Sequence, residues 1–135
     1  MKGLSFRKDE VKFLQSNEIC RIATSHNNVP YVTPVSYIFE NGKFYFATDY
    51  KTRKYANLIK NNKISLVVDT IENNKERAVV IQGITGIIHP DGRKFEDLYK
   101  TFYDKFESVR IDVWWEERKG PIIEVIPKTK TSWGV

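Results

Sequence analysis

The dipeptide Asn41-Gly42 sits between two runs of β-forming residues, 29–39 before it and 43–48 after it. A two-residue hairpin turn of the type that matches strand twist needs positive φ at both central positions. Asn and Gly reach that region at least cost. An antiparallel hairpin is therefore predicted there. Most of the remaining chain must then be reconciled with a sheet that contains it.

Other runs supply the rest of that sheet. Residues 19–25 are rich in β-branched side chains and read as a strand, with His26-Asn27-Asn28 as its turn. The run 29–39 contains Pro30 and Pro34, which cannot donate to a ladder, so this strand is expected to be irregular or to have a free side. Residues 63–70 carry Ile64, Leu66, Val67 and Val68 and read as a buried strand, followed by the polar turn 72–75. The run 77–89 is long and is interrupted by Gly83 and Gly86, a pattern of bulges or sharp bends. Residues 121–126 form a further strand, and 128–135 a possible last short one.

Helices fall between these runs. Asp9 begins a short one that reaches Gln15, with Val11, Phe13 and Leu14 around one side. Tyr55, Leu58 and Ile59 recur at helical spacing over 52–60, and Asn61-Asn62 stops that helix. After Pro90-Asp91-Gly92 the set Phe95, Leu98, Tyr99, Phe102, Tyr103 and Phe106 marks an amphipathic helix with an aromatic face. The stretch 112–120 fits neither period. The predicted class is mainly β, a β-barrel with α insertions, antiparallel throughout most of its strands. Glycine bends favour a closed or nearly closed barrel, with a two-layer α+β sandwich as the alternative.

Bulk properties exclude several classes. A chain of 135 residues fits one domain, 1–135, with a core large enough to do without disulfides or metals. Cys20 is the only cysteine, so no intrachain disulfide is possible. No apolar run approaches the roughly 18–20 residues that span a bilayer. Residues 1–7 carry charge with no apolar stretch behind them, which is not a secretory signal, and a cytoplasmic location is expected. The net charge of +5 is spread among interleaved acids, except at one place.

That place is Thr48-Asp49-Tyr50-Lys51-Thr52-Arg53-Lys54. It holds three cations and two threonine hydroxyls where a strand ends and a helix begins. Free N–H groups and the positive end of the dipole at a helix N-terminus attract an anion. Arg53 offers a planar fork, Lys54 a point charge, and Thr52 either caps the helix or donates to an anion oxygen. Cations in a first turn oppose the dipole, a cost that a bound phosphate relieves. Taken alone, the run also reads as a solvated loop.

The order of pieces around it carries a resemblance. Arg21-Ile22-Ala23-Thr24, then Val29-Pro30-Tyr31-Val32-Thr33-Pro34-Val35-Ser36-Tyr37, then Phe44-Tyr45-Phe46-Ala47-Thr48 lead to Lys51-Thr52-Arg53-Lys54-Tyr55-Ala56-Asn57-Leu58. Asn61-Asn62-Lys63-Ile64-Ser65-Leu66-Val67-Val68, Val80-Ile81-Gln82-Gly83 and Lys130-Thr131-Ser132-Trp133-Gly134 complete the series. In this series the chain resembles the pyridoxamine 5′-phosphate oxidase-like flavoproteins, the FMN-binding split barrels of antiparallel Greek-key type. The resemblance implies that Thr48, Lys51, Thr52, Arg53 and Lys54 hold the FMN phosphate. Pro34, Val35 and Ser36 would lie along the isoalloxazine ring. It also implies a homodimer with flavin between subunits, Gln82 and Trp133 approaching from the partner chain. Relatives of this fold also bind the deazaflavin F420 or haem. No second phosphate site is evident, so vitamin B6 oxidation itself is not expected.

Two functional readings follow. One is an oxidoreductase that passes hydride from a reduced nucleotide to a small-molecule acceptor through the flavin. The other is a flavin-binding carrier, electron-transfer partner or redox sensor without catalysis. No catalytic side chain is singled out. His26 and His89 flank turns without metal-ligand spacing, and Cys20 reads as a small core residue. Trp114-Trp115 plug the core or a dimer seam, or else roof the flavin together with the aromatic helix. Nucleic-acid binding has no recognisable module behind it.

Overall fold

The computed structural model describes residues 4–135, so the start of the stretch read for a signal lies outside it. The elements are α1 (Lys8–Ser16), β1 (Ile19–His26), β2 (Val29–Ser36), β3 (Ile38–Glu40), β4 (Lys43–Ala47), α2 (Arg53–Lys60) and β5 (Lys63–Glu72). They continue with β6 (Lys75–Ile88), α3 (Arg93–Lys105), α4 (Glu107–Ile111), α5 (Val113–Glu116) and β7 (Ile122–Trp133). No helix among the described residues is long and apolar enough to cross a membrane.

The seven strands form one antiparallel sheet in the order β2-β1-β5-β6-β7-β4-β3. Three of its hairpins turn on residues at positive φ: Asn27-Asn28, Asn41-Gly42 and Asn73-Asn74. The predicted Asn-Gly hairpin is thus present, joining β3 to β4, and two Asn-Asn turns repeat the device.

The strand predicted over 29–39 divides at Tyr37. Before it, β2 pairs with β1; after it, β3 pairs with β4. These two strands stand at opposite ends of the sheet order, yet one residue separates them. The sheet must therefore curl until its two edges meet, as a barrel does. Tyr37 is fully buried at this seam. Its N–H donates to the Glu18 carbonyl at 3.1 Å, and its own carbonyl accepts from Lys105 Nζ at 3.0 Å.

The predicted bend in the long strand is a register shift between Gln82 and Gly83. Gly83 faces Pro127 while Gln82 faces Thr129, which leaves Lys128 as the extra residue of a bulge. A Cβ on Gly83 would lie 2.3 Å from the Ile126 carbonyl oxygen. The two strands predicted over 121–126 and 128–135 are consequently one strand, β7, that bends at a proline with no N–H to pair.

Alternation along the strands builds two cores. Phe44 and Phe46 of β4, with Ile123 and Val125 of β7, point into the barrel beside Ile22, Leu66 and Ile81. Tyr45 and Ile122 point the other way, where Phe95, Leu98 and Phe102 of α3 cover them. The aromatic helix thus packs on the outside of the barrel wall, and β4 and β7 are buried on both faces. The unassigned stretch after α3 forms the short helices α4 and α5, whose Val109 and Trp115 join the same outer core.

Candidate anion and cofactor site

Ala47 ends β4, and the Thr48 N–H donates to the Pro121 carbonyl at 3.2 Å, so the chain leaves the barrel wall beside the start of β7. Thr52 caps α2 by accepting from the Tyr55 N–H at 3.2 Å. The Thr48 and Thr52 hydroxyls stand 2.8 Å apart. Arg53 and Lys54 occupy the first turn of α2, which contains no acid. Among the described residues, Lys51, Arg53 and Lys54 make no ion pair. Burial pushes the Lys54 ammonium below its usual range, although the Asp49 charge acts in the opposite direction. The sequence-predicted cluster is therefore a helix N-terminus with two threonine hydroxyls and three cations, with the Asp49 carboxylate among them.

Neighbouring side chains hold the segment in shape. Tyr50 donates to or accepts from His89 Nδ1 at 2.7 Å and stacks on its ring, with centroids 5.8 Å apart. The Arg53 guanidinium lies 5.9 Å from the centre of the Tyr31 ring. His89 is thus a support for this loop.

Next to the segment lies a cavity of about 320 Å³. Pro34, Val35 and Ser36 at the end of β2 form one wall, with Lys54 at the same cavity. Phe102, Phe106 and Trp115 line it from the side of α3–α5. β2 is an end strand of the sheet order, so the free side predicted for the proline-bearing strand faces this region. The volume lies at the lower end of small-molecule pockets, and Ser36, Lys54, Ser108 and Asp112 bring polar groups to a partly aromatic wall.

The structure thus brings Pro34, Val35, Ser36 and Lys54 together, with Thr48, Thr52 and Arg53 adjoining. Lys51 is exposed in the turn before α2. Gln82 and Trp133 lie elsewhere, on β6 and β7; neither lines this cavity, and Gln82 lines a separate one of about 540 Å³ with Ala23, Ser65 and Thr129. Gln82 accepts from Thr129 Oγ1 at 3.3 Å, and Trp133 is 47% exposed opposite Ala78.

Sequence reading passed over Gly120 and Asp49. A Cβ on Gly120 would come within 2.3 Å of the Thr48 carbonyl oxygen and 2.6 Å of Trp114 Cζ2. Only glycine lets the Thr48 backbone and Trp114 close on the same point. Trp114 Nε1 donates to the Asp49 carboxylate across that junction. The signal in the sequence was a Gly-Pro pair closing an unassigned stretch.

A curled antiparallel sheet whose chain passes from one edge strand to the other at Tyr37 is a split barrel. The chain belongs to the pyridoxamine 5′-phosphate oxidase family, whose model matches residues 6–121. No curated protein matches it. Among solved structures it is similar to a FAD-binding protein from Mesorhizobium loti, at 19% identity and TM-score 0.76, covering 94% of each chain. It is also similar to the heme storage protein HutZ from Vibrio cholerae, at 14% identity and TM-score 0.80 over 92% of each chain. General Stress Protein 26 from Bacillus anthracis matches at 17% identity and TM-score 0.73, over 93% of this chain and 92% of that one. At such identities the likeness speaks for the fold alone.

Proposed function

We propose that this chain is an FMN-binding flavoprotein that works as a homodimer and passes electrons between a reduced nucleotide and a small-molecule acceptor. The observation that carries the reading is the set of cations, without an ion pair among the described residues, and paired threonine hydroxyls at the start of α2, beside a cavity walled by Pro34–Ser36. Thr48, Lys51, Thr52, Arg53 and Lys54 hold the phosphate. Pro34, Val35 and Ser36 lie along the ring, and Phe102, Phe106 and Trp115 cover it against water. The outer sheet face meets a second copy, from which Gln82 and Trp133 reach the same ring. When bound, the flavin supplies reversible hydride and electron transfer; the protein supplies position and electrostatics.

Among the described residues of one chain, the polar side chains of the cavity are Ser36, Lys54, Ser108 and Asp112, which suit a flavin's polar groups rather than haem iron. The Mesorhizobium loti relative is described as FAD-binding, which supports a flavin in this family fold. F420 carries a phosphate of its own and remains the second cofactor the same donors accept.

The test is a visible spectrum of the purified protein before and after addition of FMN. Flavin bands that stay with the protein through gel filtration are expected; no retained flavin overturns the reading. Arg53→Ala or Lys54→Ala is expected to weaken FMN by about 1.5–3 kcal/mol while riboflavin binds nearly as before. Equal weakening of both ligands would place the phosphate elsewhere. Stopped-flow reduction by NADH and NADPH then separates enzyme from carrier: rapid reduction with turnover on an acceptor supports catalysis, and its absence supports the non-catalytic flavin-binding role.

A further inference from the structure

A carboxylate inside a phosphate site needs a reason. Asp49 lies between Thr48 and Lys51, in the middle of the cationic segment, and its charge is felt at Lys54. Left to itself, that carboxylate is an internal anion. It competes for the same cations and N–H groups at the start of α2 that a phosphate uses. In the structure its carboxylate acts on Lys54 from a distance but makes no ion pair with Lys51, Arg53 or Lys54 among the described residues. Trp114 Nε1, a group that can only donate, holds it on the side facing α5.

The holder is itself well anchored. Trp114 packs edge-on against Trp115, with centroids 5.1 Å apart, and Trp115 lines the cavity. Behind them Arg118 grips Glu96 of α3 through two contacts at 2.5 and 3.0 Å. Gly120 leaves the space in which Trp114 reaches the Thr48 backbone. The roof over the cavity and the anion segment are thereby one mechanical unit.

We propose that Trp114 is a positioning residue that sets the preference of this site for a phosphorylated ligand: it keeps Asp49 from occupying the anion position. The inference rests on the reading of Thr48–Lys54 as the flavin phosphate site. It adds that the site contains its own competitor, and that a residue outside the segment restrains it.

The test compares FMN with riboflavin, by fluorescence titration, in the full-length protein and in three variants. Trp114→Phe keeps an aromatic ring and removes the donor. It is expected to weaken FMN about tenfold and to leave riboflavin nearly unchanged. Asp49→Asn is expected to bind FMN as well as the unaltered protein or more tightly. The double variant is expected to regain the FMN affinity that Trp114→Phe loses, because no charge is left to restrain. Rescue of this kind is not expected if Trp114 merely supports the roof. A loss that is equal for FMN and riboflavin, or one that Asp49→Asn fails to restore, overturns the inference while leaving the flavin reading intact. Failure of the unaltered protein to bind FMN overturns both.

Discussion

Glu10 shows how much one residue can carry in this fold. Its side chain is 1% exposed and accepts from Lys130 Nζ at 2.8 Å, Ser132 Oγ at 2.7 Å and the Arg7 N–H at 2.8 Å. Burial alone would raise its pKa, but these donors and the Lys130 charge outweigh that and hold it at about 2, below the ordinary 4.5. A carboxylate with a depressed native pKa stabilises the fold fully above its unfolded value. That contribution fades as pH falls from about 4.5 towards 2. Glu10→Gln is expected to cost on the order of 3 kcal/mol at pH 7 and much less near pH 2, so denaturant melts at the two pH values should converge. A constant gap between the variants across that range would remove Glu10 from the account. Nothing in the sequence near Glu10 announces this role. Two of its three donors, on Lys130 and Ser132 of β7, stand at the far end of the chain, and only the fold brings them within reach of α1, while the Arg7 N–H is local. The cationic segment was legible for the opposite reason: Thr48 to Lys54 carries its donors locally, so the pattern survives without the fold.

At the scale of elements, the same distinction explains what sequence reading found and what it missed. Turns that act through their own φ angles were visible, because Asn41-Gly42 needs no distant partner to favour a hairpin. The crossing at Tyr37 was not, since leaving one sheet edge for the other is decided by closure of the barrel. Helices α4 and α5 have five and four residues, too few to show a period, and their side chains face a core built by α3 and β4. The ring pocket was half visible for this reason: Pro34–Ser36 and the aromatic face through Phe106 could be placed, while Val109 depended on those helices. The glycine bend in β6 was visible as a pattern, and the structure says which glycine matters. A side chain on Gly83 meets backbone at 2.3 Å, whereas one on Gly86 has only the Glu124 carboxylate within reach, at 3.7 Å. Gly83→Ala is therefore expected to destabilise by about 1–3 kcal/mol or to shift the β6–β7 register, while Gly86→Ala stays within about 1 kcal/mol of the unaltered protein. Thermal melts of the two variants decide it, and equal losses would mean that the bulge tolerates a side chain.

For the whole molecule, the outward side of the barrel wall is the feature that a lone chain leaves unexplained. The register of β2, β1, β5 and β6 sets Val32 beside Ala23, Ala23 beside Ser65 and Ser65 beside Gln82. The neighbouring row sets Pro34, Arg21, Val67 and Val80 in line. Ile22, Leu66 and Ile81 between them point inward, so this wall has apolar residues on both faces. Val32 is 67% exposed on the outer one. A sheet apolar on both faces is normally covered on both. Arg21 and Asp69 pair at 2.6 Å on the same outer side. Gln82 belongs to this face, and Trp133 sits beside Ala78 at the other end of the β6–β7 pairing. A dimer across the wall would therefore bury the valines and deliver Gln82 and Trp133 to the other subunit in one step. Sedimentation of the protein should give twice the mass of the chain. The double variant Val67→Glu with Val80→Glu should give a folded monomer, because both side chains lie on the outside of the sheet. If the flavin lies between subunits, that monomer loses FMN affinity although Thr48 to Lys54 are untouched. A monomer that binds FMN as tightly as the unaltered protein would confine the whole site to one chain and return Gln82 and Trp133 to the surface.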